Sequence, residues 1–108
     1  MFLTLIACTQ SDQSSDNPYV GLWQFPDTSV WVLIKDDGNV YQCRIAVDGE
    51  LIASLGVVND NIIIWNDIWG TDQIKKVENS LFLDGQYGEF EYVKINGSMD
   101  DNCNNPFD

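Results

Sequence analysis

No histidine occurs among the 108 residues, and only five lysines and arginines stand against 17 aspartates and glutamates. The first absence removes much chemistry. Neither a Ser-His-Asp nor a Cys-His arrangement can be built. No His-ligated zinc site exists, and the side chain whose unperturbed pKa lies nearest neutrality is missing. Only carboxylate or lysine chemistry remains, so no enzyme is expected. The scarcity of cations excludes a second class. Nucleic-acid affinity rests on Lys and Arg displacing counterions. A net charge of −12 repels a phosphate backbone, and it repels an anionic lipid surface as well. It attracts a basic protein or a cation, and its plainer consequence is solubility.

Cofactor and metal motifs are lacking too. Asp36-Asp37-Gly38-Asn39, Asn59-Asp60-Asn61 and Asp100-Asp101-Asn102 offer oxygen ligands of the kind calcium prefers. None has the spacing of an EF-hand loop, and turn chemistry accounts for the first two. A long amphipathic helical period is also absent, although 72–79 has room for one or two helical turns.

What is present points to strands. Apolar residues make up 44% of the chain, with four Trp, four Tyr and five Phe. Aromatic and β-branched side chains fit a pleated, half-buried surface. Short apolar runs cover 20–25, 29–35, 40–47, 50–58, 62–65, 73–77, 81–83 and 86–94, each bounded by turn residues. Asp-Gly recurs at 37–38, 48–49 and 84–85, with Asn96-Gly97 later. Asp-Gly between such runs predicts hairpins with type I′ turns, because both central residues need positive φ. This spacing predicts an all-β fold of about seven or eight short antiparallel strands, as a single small meander or barrel or as a sandwich. The domain is expected over 18–95, with a polar tail over 96–108.

Alternation assigns faces. Tyr41, Cys43, Ile45 and Val47 fall on one side of the third strand and are expected to point inward, with Gln42, Arg44 and Ala46 on the wet side. In the last strand Phe90 and Tyr92 oppose Glu89 and Glu91. The two glutamates lie about 6–7 Å apart along the strand, a pair of the type used in glycoside hydrolysis, but outward acids are ordinarily solvated. The runs 30–34 and 62–65 are apolar on both faces, so each is central or has its second face covered.

The N-terminus reads Met-Phe-Leu-Thr-Leu-Ile-Ala-Cys. The apolar run is far shorter than the roughly 20 residues that cross a bilayer and has the character of the end of a secretory signal. Leu5-Ile6-Ala7-Cys8 resembles the lipobox of bacterial lipoproteins. That resemblance implies removal of 1–7 and a diacylglycerol on the Cys8 sulfur. No basic segment precedes Phe2, which departs from the family and implies a start at an internal Met or a trimmed chain. Thr9, where an Asp would favour inner-membrane retention, implies the outer membrane, facing the periplasm. Residues 9–17 carry no apolar side chain and read as a flexible tether. Anchoring by several acyl chains draws on roughly 0.8 kcal/mol per buried CH₂.

With Cys8 lipidated, Cys43 and Cys103 remain as an even pair outside the cytosol. A disulfide between them would pin the tail to the domain; the alternative is a buried thiol at Cys43 and a loose one at Cys103. Gly21-Leu22-Trp23 resembles the Gly-x-Trp that opens the first strand of lipocalins, where the Trp packs across one end of the barrel. The likeness implies a lipocalin-like meander and carries over no ligand pocket.

Among candidate binding residues, Trp65-Asn66-Asp67-Ile68-Trp69-Gly70-Thr71-Asp72 stands out. It sets Trp65 and Trp69 beside Asp67 and Asp72, a grouping suited to a sugar or peptide, though Trp is more commonly core. The expected function is a non-catalytic envelope binding module whose partner is a protein, a glycan or a small apolar molecule. The alternative is a periplasmic inhibitor or immunity protein against a basic enzyme such as a lysozyme. Val40-Tyr41-Gln42-Cys43 resembles the Tyr-x-Cys of one family of lipidated lysozyme inhibitors. That family's Ser-Gly-x-x-Tyr segment is absent, so no inhibitory residue carries over. A third class, an assembly accessory, would work through exposed sheet edges.

Overall fold

The structure, a computed structural model, describes residues 17–66, 70–99 and 103. Eight strands follow in order: β1 (Gly21–Gln24), β2 (Val30–Ile34), β3 (Asn39–Ile45), β4 (Leu51–Asn59), β5 (Ile62–Trp65), β6 (Thr71–Val77), β7 (Ser80–Gly85) and β8 (Gly88–Ile95). Each pairs antiparallel with the next, and β1 pairs with β8, so the sheet closes into a barrel. The all-β expectation holds as a barrel and not a sandwich. Residues 72–79 extend as β6 and its turn, with no helical turn there. Closure also pairs every strand on both sides. An assembly role through open sheet edges therefore has no edge among the described residues to use.

The expected turns are met in part. Gly38 N–H donates to the Lys35 carbonyl and Gly49 N–H to the Ala46 carbonyl. At each Asp-Gly only the glycine has positive φ, 92° and 88°. The turn therefore falls one residue earlier, and the glycine takes the left-handed position after it instead of forming a type I′ pair. Asp37 and Asp48 instead accept the backbone N–H two residues on, from Asn39 and Glu50, each at 3.0 Å, as Asx turns do. Asp84-Gly85 is no turn at all. It ends β7, Gly85 pairs with Gly88, and the chain reverses at Gln86 and Tyr87. Gly85 is needed for a different reason, given below.

Two apolar clusters form, one on each side of the barrel wall. Inside lie Trp23, Val32, Ile34, Val40, Ile63, Trp65, Ile74, Leu81, Leu83 and Tyr92. Outside lie Leu22, Trp31, Tyr41 and Cys43, covered by Met99 and Cys103. Cross-strand register explains the outer group: Trp31 faces Cys43, Leu33 faces Tyr41, and Leu22 faces both Leu33 and Ile95. This corrects the face assignment of β3. Tyr41 and Cys43 do share a buried face, but it is the outer one. Gln42 and Arg44 turn into the barrel. The physical reason is that the C-terminal segment brings its own apolar side chains and shields the outer face. The double-sided run of β2 has the same cause. The double-sided run of β5 does not, since its outward Ile62 and Ile64 remain exposed.

Cys43 and Cys103 are joined by a disulfide, with their Cα atoms 6.4 Å apart and 60 residues between them in sequence. It holds the segment after β8 against the outer wall, where Met99 is buried to 1% exposure. In the chain-entropy view a loop of this length stabilises the fold by about 4 kcal/mol. Replacing Cys103 by Ser is expected to lower unfolding free energy by about that amount and to expose Trp31. Urea denaturation and acrylamide quenching of tryptophan measure the two effects. An unchanged midpoint would show that the strap contributes nothing to the barrel.

Candidate functional site

Alternate connections place the two barrel ends. The β2–β3, β4–β5 and β6–β7 turns share one end with the start of β1 and the end of β8. That end is filled. Trp23 is fully buried there, and its indole N–H donates to the Tyr19 carbonyl at 2.9 Å. The Lys94 ammonium lies 5.8 Å over the Trp23 ring. Trp23 thus ties the segment before β1 to the core, while Asn17 donates to the Lys35 carbonyl at 3.4 Å.

The other end carries the β1–β2, β3–β4, β5–β6 and β7–β8 connections. A cavity of about 290 Å³ opens there. One wall is aromatic. Phe25 meets Phe90 edge-on at 5.8 Å between ring centres, and Tyr92 at 5.6 Å. Val30, Leu83 and Trp65 add apolar surface, and Tyr87 stands on the rim. Polar side chains enter this setting from three places: Gln42 and Arg44 from β3, Asp72 from β6, and Gln86 from the β7–β8 turn. Gln42 donates to the Tyr92 hydroxyl at 3.5 Å. Burial raises the Tyr92 pKa above its ordinary value, Asp72 raises it further, and Gln42 and Arg44 pull it the other way. The phenol is therefore neutral at physiological pH and available to both donate and accept.

Asp72 holds its place through two neighbours. Its register partner Ile63 points inward, so its own side chain does as well. There it accepts the Trp65 indole N–H at 2.8 Å. Across the wall stands Gly85, where an added Cβ would run into the Asp72 carboxyl group. A larger residue at 85 would force the carboxylate to shift and so disturb its bond to the Trp65 indole N–H.

The structure brings together Trp65 and Asp72 of the expected binding segment. It makes Trp65 a wall of the cavity, not an exposed platform. Asp67 and Trp69 lie outside the described residues, as does Cys8. Glu89 and Glu91 are exposed on the outer wall, where Glu91 accepts from the Ser80 hydroxyl at 2.7 Å. Sequence reasoning missed Gln42 and Arg44, which it put on the wet face, and did not single out Phe25, Phe90 or Tyr92. A signal existed for the first two. A Cys43 bonded to a polar tail must face outward, since that tail does not thread a packed barrel, and its neighbours in β3 must then face inward. Among the described residues no three His, Cys, Asp or Glu side chains gather to hold a metal.

Replacing Gly85 by Ala is expected to destabilise the fold by about 1–3 kcal/mol, the cost of a buried donor without a partner. Combining it with Asp72→Ala should cost less than the two single changes added together, because the displaced group is then gone. Urea denaturation of the four proteins tests this, and strict additivity would refute the contact.

Comparison with known protein families, characterised proteins and solved structures yields no match to this chain.

Proposed function

We propose that this chain is a non-catalytic binding module of the cell envelope, anchored through a lipid on Cys8, whose barrel mouth takes a small and mainly apolar molecule. The observation that carries the reading is the cavity. Its volume of about 290 Å³ stands at the lower edge of small-ligand sites, roughly 300–1,000 Å³. It joins aromatic and aliphatic walls to a few convergent polar groups, the make-up such sites share. Eight strands is also the count at which a barrel interior either fills with side chains or keeps room for one small ligand. In this barrel Trp23, Ile34 and Val40 fill one end, and the mouth keeps the room.

Binding without turnover is supported by the lack of histidine and by the outward, solvated position of the one carboxylate pair considered for catalysis. The envelope location is supported by Leu5-Ile6-Ala7-Cys8 at the close of an apolar run and by the polar stretch that follows. A disulfide belongs in an oxidising compartment, and Thr9 favours the outer membrane facing the periplasm. Asn17 bonds to Lys35 at the filled end.

The binding test uses the full chain carrying Cys8→Ser and N-phenyl-1-naphthylamine, a neutral dye that brightens in apolar sites. Saturable one-to-one binding is expected, weakened about five- to tenfold by Phe90→Ala, which removes one aromatic wall. Phe90 is 42% exposed, so the variant keeps its fold, as circular dichroism will verify. Absent binding, or binding indifferent to Phe90→Ala, would reject the cavity. For the anchor, the unaltered chain is expected in the membrane fraction of a bacterial host and the Cys8→Ser chain in the soluble fraction. Equal partitioning of the two would reject lipidation at Cys8.

A further inference from the structure

The two ends of the barrel differ in charge as well as in packing. Around the mouth stand Asp27 on the β1–β2 turn, Asp48 and Glu50 on the β3–β4 turn, Asp72, and Asp84 and Glu89 near the β7–β8 turn. Asp72 lines the cavity itself, and three of the others lie close to lining residues in sequence. Asp84 follows Leu83, Glu89 lies between Gly88 and Phe90, and Asp27 comes two residues after Phe25. Arg44 is the one basic residue at that end among the described residues. The four lysines lie elsewhere. Lys35 and Lys94 are at the filled end, and Lys75 and Lys76 are on the half of β6 that runs toward it. There they meet Asp36, Asp37, Asp60 and Glu78, four acids to four bases. Among the described residues the mouth has six acids to one base.

Inside the cavity the balance is different. Arg44 and Asp72 both act on the Tyr92 hydroxyl, with opposite sign, so the inner polar groups offset one another. The rim decides the sign of the field a ligand meets. Asp84 and Glu89 are also direct cross-strand partners, and like charges so placed repel. A cation at the rim relieves that repulsion.

We infer that the cavity takes an organic cation, with a flat apolar body of about two rings lodged against Phe25, Phe90 and Tyr92 and its positive group at the acidic rim. This rests on the reading of the cavity as a binding site and adds the ligand's class. Size follows from volume: a cavity of about 150 Å³ lined by apolar side chains holds benzene, and this one is about 290 Å³. Sign follows from the rim and from the rings, whose faces attract cations. The acidic mouth also raises the local concentration of cations and speeds their capture.

The test uses three molecules with one naphthalene body: 2-naphthylmethylammonium, 2-naphthalenemethanol and 2-naphthoate. Each is titrated into the full chain carrying Cys8→Ser, at low and at moderate salt, following backbone amide NMR shifts at Leu83, Phe90 and Tyr92. The cation is expected to bind about fivefold more tightly than the alcohol, the scale of one or two exposed charge contacts, and the carboxylate least well. Added salt should narrow the spread. Neutralising the rim by Asp48→Asn, Glu50→Gln and Asp84→Asn together, all at exposed positions, should bring cation and alcohol close to parity. Equal affinities, or a reversed order, with shifts at these residues would overturn the inference and leave the cavity reading standing. So would a cation preference that the triple variant leaves intact. No shift at these residues with any of the three would overturn both.

Discussion

Pairing of the first strand with the last is the constraint on which everything else rests. Leu22 against Ile95, Trp23 against Lys94 and Gln24 against Val93 close the sheet. Without those three pairs the strands would form an open meander with two edges, and the barrel would have neither a lined interior nor a mouth. β1 has only four residues, and it serves three purposes. It bonds to neighbours on both sides. It sends Trp23 inward as the largest fully buried side chain, and it sends Leu22 outward under the C-terminal segment.

That double use of one strand extends over β1, β2 and β3. A small barrel has little interior volume, and this chain buries apolar side chains on both sides of its wall. Inward-pointing residues fill one end. Outward-pointing residues are buried by Met99 and Cys103, and Cys103 is held there by a covalent bond. The disulfide is therefore more than a staple on a finished fold. It turns the outer face of β1–β3 into a second core, and it frees the inward positions of β3 to carry Gln42 and Arg44 instead of core residues. The polar groups of the cavity follow from the way the tail is tied down.

The cavity depends on an equally local compromise. Asp72 has a half-buried carboxylate because Trp65 supplies a donor and Gly85 supplies space. The glycine that turn statistics assign to a hairpin is spent on this close approach, and the hairpin moves two residues on. The aromatic wall is built from two separated stretches: Phe25 just after β1, and Phe90 and Tyr92 two residues apart on β8. They meet only because β8 returns to lie beside β1.

Strand count, strand positions and the all-β class were legible in the chain itself. Period-2 patterning and turn residues are short-range properties, and one sequence contains them in full. The pairing of Cys43 with Cys103 was open to simple parity once Cys8 was set aside. Burial of Trp23 was likewise suggested by its place in Gly21-Leu22-Trp23. What alternation cannot supply is the identity of a face: it separates Tyr41 and Cys43 from Gln42 and Arg44 but does not say which pair faces inward. That depends on where the tail lies, a contact across 60 residues. The same holds for the role of Gly85, which depends on a carboxylate from the neighbouring strand, and for the mouth, whose walls come from six of the eight strands. Local patterning sets the elements and their chemistry. Only the closed barrel decided which side chains share a space, because closure brings together residues that no local period relates.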